Sequence, residues 1–280
     1  MKKTLFLCLS LSLVFSSGCS SPEKASLDAD QSLKKSTISE QLPVERVTLK
    51  ADQVWLDGKK VGLLRQDSQK FSELPEKLPN GASAYEVTDL KNRWLFVSGG
   101  EISSESSDLP KAAGETYFWD KTKKKLERGP ELKTARFEHC VTELGDGMWL
   151  ITGGKSLKPS EVYPKSVELL DAKPRLVTSI GALKVDRTNH SVLPLDKSRI
   201  LIVGGQTYSS DSANGVETKS VELYDLKDRS SKELGVLCRG RQGATLLLLE
   251  GGKVLVVGGR SSDSMKGSSV LPAEMVQVPL

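Results

Sequence analysis

Arginine and histidine recur three residues apart at Arg136 and His139 and again at Arg187 and His190, and Arg239 and Gln242 repeat the spacing further on. A guanidinium offers a planar fork of N–H donors that matches carboxylate oxygens bidentately, so Arg136, Arg187 and Arg239 gathered at one place would receive acidic groups. Other chemistry is thinly represented. Gly153-Gly154-Lys155-Ser156 has the ending of a phosphate-binding loop, but Trp149 stands where the first glycine of that motif belongs. The chain has no Gly-x-Ser-x-Gly elbow and no His-Glu-x-x-His pair. With 2 histidines and 4 cysteines, a metal centre would need nearly every soft ligand in one place, so neither a metal nor a cofactor is expected.

The elements that position these residues repeat along the chain. Four apolar strands end in paired glycines: Leu95 to Gly100, Leu150 to Gly154, Leu201 to Gly205 and Leu255 to Gly259, with first glycines 54, 51 and 54 residues apart. A second series ends at Asp67, Asp120, Asp171 and Asp225, spaced 53, 51 and 54 residues apart. A third strand begins near Tyr85, His139, His190 and, after two extra residues, Gln242. Turn sequences such as Gly145-Asp146-Gly147 and Asp196-Lys197-Ser198 separate it from the glycine-terminated strand. Each repeat therefore reads as an antiparallel meander, and no sustained helical period occurs after the N-terminal segment.

This pattern resembles the Kelch repeat, a four-stranded blade of a β-propeller, over residues of roughly 60 to 280. The resemblance implies an all-β, Kelch-type β-propeller of about five four-stranded blades, four of them clear in the sequence. Residues 61 to 74 would supply the last two strands of a further blade, and Val44 to Leu49 and Gln53 to Leu56 two more. The C-terminal strand from Glu274 to Val278 is the third of its blade, and the missing fourth is expected from the N-terminal segment. In such a meander the entry to the first strand and the loop between second and third strands emerge on one face. That face carries loops at 101–114, 155–165, 206–219 and 260–273, including Tyr163 and Tyr208, and long polar loops on a rigid scaffold are where binding usually resides.

The candidate ligand-binding set is therefore Arg136, His139, Arg187, His190, Arg239, Gln242, Tyr163 and Tyr208. Recurrence in register gives the Arg and His positions a second and stronger reading, hydrogen bonding between blades. The glycine pairs serve conformation, and Asp120, Asp171 and Asp225 cap hairpins through bonds to backbone N–H groups. The run Lys121-Thr122-Lys123-Lys124-Lys125 falls in a hairpin on the opposite face, as a solvated turn or an anionic-surface contact. Among proteins of Kelch-like fold are sugar epimerases. The resemblance thus carries a second function, an epimerase, isomerase or lyase using Glu138 or Glu217 as acid/base carboxylate beside an arginine.

Met1-Lys2-Lys3 followed by the apolar run from Leu5 to Phe15 reads as an export signal, too short to span a bilayer. Ser16-Ser17-Gly18-Cys19 resembles the lipobox of bacterial lipoproteins, which implies a signal peptide over 1–18 and acylation of Cys19. Residues 19–43 then form the lipidated cysteine and a polar tether, and 44–280 the propeller. A formal charge of +4 is too small for a nucleic-acid footprint. The expectation is a binding module held by lipid in the bacterial cell envelope, at the outer membrane, with a protein or glycan partner. Of the 4 cysteines, Cys140 and Cys238 remain in the folded part and are expected as buried free thiols.

Overall fold

The computed structural model describes residues 38–50, 52–64, 74–75, 77–91, 93–104, 107–156, 162–209, 212–261 and 271–279. The predicted signal peptide, Cys19, most of the tether and Asp67 lie outside these residues. Among the described residues no helix is long and apolar enough to cross a membrane.

The fold is all-β and its sheets are antiparallel. The first four-stranded sheet comprises Glu86–Asp89, Trp94–Ser98, Thr116–Asp120 and Lys125–Arg128 in that spatial order. The second comprises Cys140–Gly145, Met148–Thr152, Ser166–Asp171 and Leu176–Ala182, and the third Ser191–Pro194, Arg199–Val203, Ser220–Asp225 and Ser230–Val236. Thr245–Leu249, Lys253–Val257 and Glu274–Gln277 make three strands of the fourth sheet. Its last strand is Ser39–Gln41, antiparallel to Glu274–Gln277 with Ser39 opposite Val276, so the N-terminal segment completes this sheet as expected, but with residues 39–42 of the stretch expected as tether, Leu42 being buried in the core.

The first strands of successive sheets lie side by side in chain order. Each second strand is buried on both faces, which is why Leu95-Phe96-Val97, Leu150-Ile151 and Leu201-Ile202-Val203 are continuous apolar runs without alternation. Three apolar clusters fill the spaces between consecutive sheets. Phe96 and Phe118 meet Trp149 and Ile151, Leu150 and Val167 meet Ile200 and Tyr224, and Leu201 and Val221 meet Val254 and Val276. Hairpin aspartates fix the turns at the far end. Asp120 Oδ1 accepts from the N–H groups of Thr122 (2.9 Å) and Lys123 (3.0 Å), and Asp171 and Asp225 do the same for Lys173 and Lys227.

The N-terminal part departs from expectation. Val47–Lys50, Gln53–Leu56 and Lys59–Leu63 form a three-stranded sheet in that order. Asp57 and Gly58, both at positive φ (49° and 77°), close a tight hairpin of the kind that such residues favour. Lys59–Leu63 pairs with Gln53–Leu56 across the expected turn, but it takes the inner place of its sheet rather than beginning an outer pair. It lies against Thr245–Leu249, and a Cβ added to Gly62 would fall 2.5 Å from Leu247 Cδ2. Leu42, Val54, Leu255, Val257 and Ala273 form the apolar cluster joining this sheet to the fourth.

Candidate functional site

The predicted arginines are the starting point, and two of them are sealed. Arg136 and Arg187 are each 0% exposed. Arg136 Nη1 donates to the carbonyl of Gly153 (2.8 Å) and Nη2 to Glu168 Oε1 (2.6 Å), while Glu168 accepts from the N–H groups of Lys133 and Thr134. Arg187 repeats this with Gly204 (2.7 Å) and Glu222 (2.5 Å), and Glu222 accepts from Lys184 and Val185. Each arginine thus clamps the entry of the first strand to the glycine pair and to the third strand of its own sheet. With its donors consumed inside the protein, neither guanidinium is available to a ligand, which corrects the expectation of an acid-receiving ring. Burial pushes Arg187 below the usual guanidinium range, against the opposing pull of Glu222.

The third member of the series is Arg241. Isolated bridges pair Ser83 with Glu101, Phe137 with Lys155, Thr188 with Gln206 and Gln242 with Arg260. Gln242 therefore corresponds to Phe137 and Thr188, the fourth repeat has no extra residues, and Ala244 stands where His139 and His190 stand. Arg241 precedes Gly258 by the 17 residues that separate Arg136 from Gly153 and Arg187 from Gly204. It donates to Gly258, Pro272 and Glu274, whereas Arg239 is exposed and contributes its backbone N–H to Glu274. The histidines bond across sheets: His139 Nε2 pairs with Ser98 Oγ (2.8 Å) and His190 Nε2 with Thr152 Oγ1 (2.7 Å). Burial, aided by Arg136, pushes His139 down to about 3, so it is neutral at ordinary pH.

Above these sealed groups lies an open cavity of about 500 Å³. It is built from four repeats at once: Glu86 from the first, Glu138, His139 and Cys140 from the second, Asn189 and His190 from the third, and Gln242, Gly243, Gly259 and Arg260 from the fourth. One backbone position organises its rim. Ala84, Glu138, Asn189 and Gly243 occupy the same place in each repeat and all adopt left-handed φ of 50°, 52°, 51° and 66°. That conformation costs a side chain such as glutamate on the order of 1 kcal/mol, and such residues concentrate at binding sites. The Glu138 carboxylate is held by Lys155 Nζ (2.8 Å), Thr188 Oγ1 (3.2 Å) and Asn189 Nδ2 (3.2 Å).

From this rim a line of contacts runs outward. Lys155 Nζ lies 5.8 Å from the Tyr163 ring centre, and Tyr163 meets Tyr208 edge to face at 6.1 Å. Tyr163 is buried and Tyr208 is exposed on the hairpin of Gln206–Ser209 and Ser212–Glu217. His139, His190 and Gln242 thus line the cavity, the two tyrosines flank it, and Arg136, Arg187 and Arg239 do not line it. Glu86, Asn189, Gly243 and Arg260 were missed as lining residues. For Asn189 and Gly243 the signal was register, since like Glu138 they immediately precede the positions of His139, His190 and Ala244; Glu86 and Arg260 carried no such signal.

Cys140 and Cys238 are both free thiols, Cys140 buried and Cys238 only half-buried at the seam with Ser39. Among the described residues no group of three or more His, Cys, Asp or Glu is placed to hold a metal ion.

No family model matches the chain. The tRNA wybutosine-synthesizing protein 4 of Candida albicans is 35% identical over 88 residues, a stretch that is 31% of this chain and 12% of that protein. The solved structure of YjhT superposes with a TM-score of 0.52 over 79% of this chain and 74% of that one, at 12% identity. That likeness concerns the fold alone. Together with the antiparallel four-stranded sheets it fits a β-propeller.

Proposed function

We propose that this chain is a Kelch-like propeller of about five blades that is anchored in the bacterial envelope through Cys19 and binds a protein or glycan partner on its loop-bearing face. The observation that carries this reading is the 500 Å³ cavity, where polar groups from four repeats converge. Carboxylates, amides and Arg260 supply acceptors and donors side by side, the combination that suits hydroxyl- and amide-rich groups. The test is an array of glycans and envelope proteins probed with the full chain and with Glu138→Gln and Arg260→Ala. Both side chains are at least partly exposed, so the variants are expected to fold. Selective binding that both changes weaken at least tenfold supports the cavity, and binding that neither alters overturns it.

A second reading is favoured by one feature: Glu138 and Arg260 line the same cavity, as an acid/base carboxylate and a cation for a sugar epimerase, isomerase or lyase would. Glu217 does not line it. Proton NMR of reducing sugars incubated with the protein tests this. Interconversion or elimination lost in Glu138→Gln supports catalysis, and unchanged spectra reject it for those sugars.

A further inference from the structure

We infer that the hairpin-bearing face of the first and second sheets, opposite the cavity, is a docking surface for the anionic lipid bilayer to which the chain is tethered. The inference rests on the proposed anchoring at Cys19 for its biological setting, but its physical basis lies elsewhere in the molecule.

Three observations converge on this face. Lys123 and Lys125 are exposed in the hairpin after Asp120, and Lys173 is exposed in the hairpin after Asp171. Most of the local acids are already engaged, and Asp146, exposed in the neighbouring turn, and Asp171, which accepts from the Lys173 N–H, offset only part of the remaining lysine charge. Asp120 is 0% exposed and bonds to Arg93 and two backbone N–H groups, Asp89 pairs with Lys121, Glu143 with Lys91, and Glu127 with Arg175. The lysines beyond these pairs leave a cationic excess at one edge of a chain whose total charge is only +4.

The second observation is the ring geometry that joins the two hairpins. Arg175 lies over Trp94 (4.5 Å) and over Phe118 (4.3 Å), and Arg93 lies over Trp94 (5.0 Å). A half-exposed tryptophan bracketed by arginines is an arrangement suited to the headgroup layer, where aromatic rings and cationic side chains both reside. The third is Leu176, 50% exposed in the same hairpin as Lys173, an apolar side chain half open to solvent. Basic residues, an interfacial aromatic and an exposed leucine together make the pattern of a peripheral membrane contact.

Such a contact is weak by itself. Each lysine near an anionic surface is worth about fivefold in affinity, so three give on the order of a hundredfold at low salt. Attachment through a polar tether raises the effective concentration of the bilayer to about the millimolar range, so a weak contact of this kind forms within the tethered molecule. The cavity would then face away from the bilayer, open to a partner.

The experiment uses the full chain reconstituted on vesicles of phosphatidylcholine, or of phosphatidylcholine with about one lipid in three replaced by phosphatidylglycerol. Hydrogen exchange is read at residues 121–125 and 173–176 and, for comparison, at residues 206–217. Expected is severalfold protection of the first two segments on anionic vesicles alone. It should vanish in about 1 M salt, where the screening length falls to about 3 Å, and in the Lys123→Glu, Lys125→Glu, Lys173→Glu variant. Equal protection on both vesicles, protection of residues 206–217 instead, or an unaffected triple variant overturns the proposal. Acylation is scored separately by labelled palmitate in the wild-type chain and in Cys19→Ser. Failure there removes the anchor reading, while the contrast between vesicle compositions still decides the docking surface.

Discussion

The first sheet and the second to fourth sheets solve the same packing problem with opposite chemistry. In the second to fourth, a buried arginine and a buried glutamate lock the strand entry to the third strand: Arg136 with Glu168, Arg187 with Glu222 and Arg241 with Glu274. In the first, Ala82 takes the arginine's place and Tyr117 the glutamate's, and both lie in one apolar cluster with Leu78, Val97 and Ala113. Both partners changed together. That is the outcome expected if a buried ion pair can be replaced whole by apolar groups but is costly to break by halves.

The largest expected effect breaks one clamp by halves. Arg187→Ala leaves Glu222 buried without its cation and orphans the Gly204 carbonyl, a loss of about 3–5 kcal/mol. Arg187→Ala combined with Glu222→Tyr copies the first sheet and should cost clearly less than the sum of the single changes. Urea unfolding of the four proteins gives the coupling. Additive costs would mean that the apolar solution works only beside Leu78 and Ala113.

Next comes the glycine pair, where the sheets differ in what they face. A Cβ on Gly153 would fall inside the van der Waals radius of the Arg187 carbonyl of the next sheet, and one on Gly99 would meet the Arg136 carbonyl in the same way. Gly258 has the same positive φ (68°) but meets nothing within 4 Å among the described residues. Gly153→Ala is therefore expected to cost about 3 kcal/mol or more, and Gly258→Ala only the roughly 1 kcal/mol of a strained φ. Similar values for the two would show that backbone conformation, not the approach of the next sheet, explains the motif.

These features differ in how far they could be read from the sequence. Paired glycines, hairpin aspartates and continuous apolar strands act locally, so their spacing gave the repeat, while the place of the missing fourth strand was legible only as the N-terminal segment, because Ser39–Gln41 lies within the polar stretch read as tether. The clamp was only half legible. Arg136 and Arg187 stand out by register, but their destination depends on Glu168 and Glu222, 32 and 35 residues away, and on burial that spacing does not encode. In the fourth repeat, two arginines at 239 and 241 offered a choice, and the histidine that would have fixed the register is Ala244. The order of the three-stranded sheet follows its local hairpins, but the inner place of Lys59–Leu63 was misread because it depends on contact with Leu247, far along the chain. The cavity rim was hidden because the left-handed backbone position that places Glu138, Asn189 and Gly243 there has no common side chain.

Histidine separates the sheets again, since His139 and His190 correspond to Tyr85 and Ala244. His139, pushed down to about 3 in the folded protein from an ordinary value near 6.5, binds a proton more readily when unfolded. Its contribution is fully present above about pH 6.5 and is lost as pH falls from there toward 3, by up to about 1.4 kcal/mol per unit. The wild type should therefore lose stability relative to His139→Gln across that window, because the carboxylates common to both proteins cancel in the difference. Parallel pH profiles would mean that the histidine is protonated inside the fold.

The smallest effect concerns the seam. Ser39 Oγ donates to Glu274 Oε2 (2.5 Å) as Ser231 Oγ does to Glu222 Oε2 (2.5 Å), so the N-terminal strand supplies to the fourth sheet what the third obtains from its own chain order. Ser39→Ala and Ser231→Ala each remove a bond to the buried glutamate worth about 1 kcal/mol, and Ser39→Ala also removes an acceptor of the Cys238 N–H, which Glu274 Oε2 continues to accept. Yet Ser39 sits on a strand of 3 residues and Ser231 on one of 7. If the short strand is held mainly by this bond, Ser39→Ala will release it before global unfolding, and hydrogen exchange at Met275 and Gln277 will rise while that at Leu223 stays unchanged. Equal costs with no local rise would place the hold instead in Leu42 and Ile38, which pack into the apolar clusters on either side of the seam.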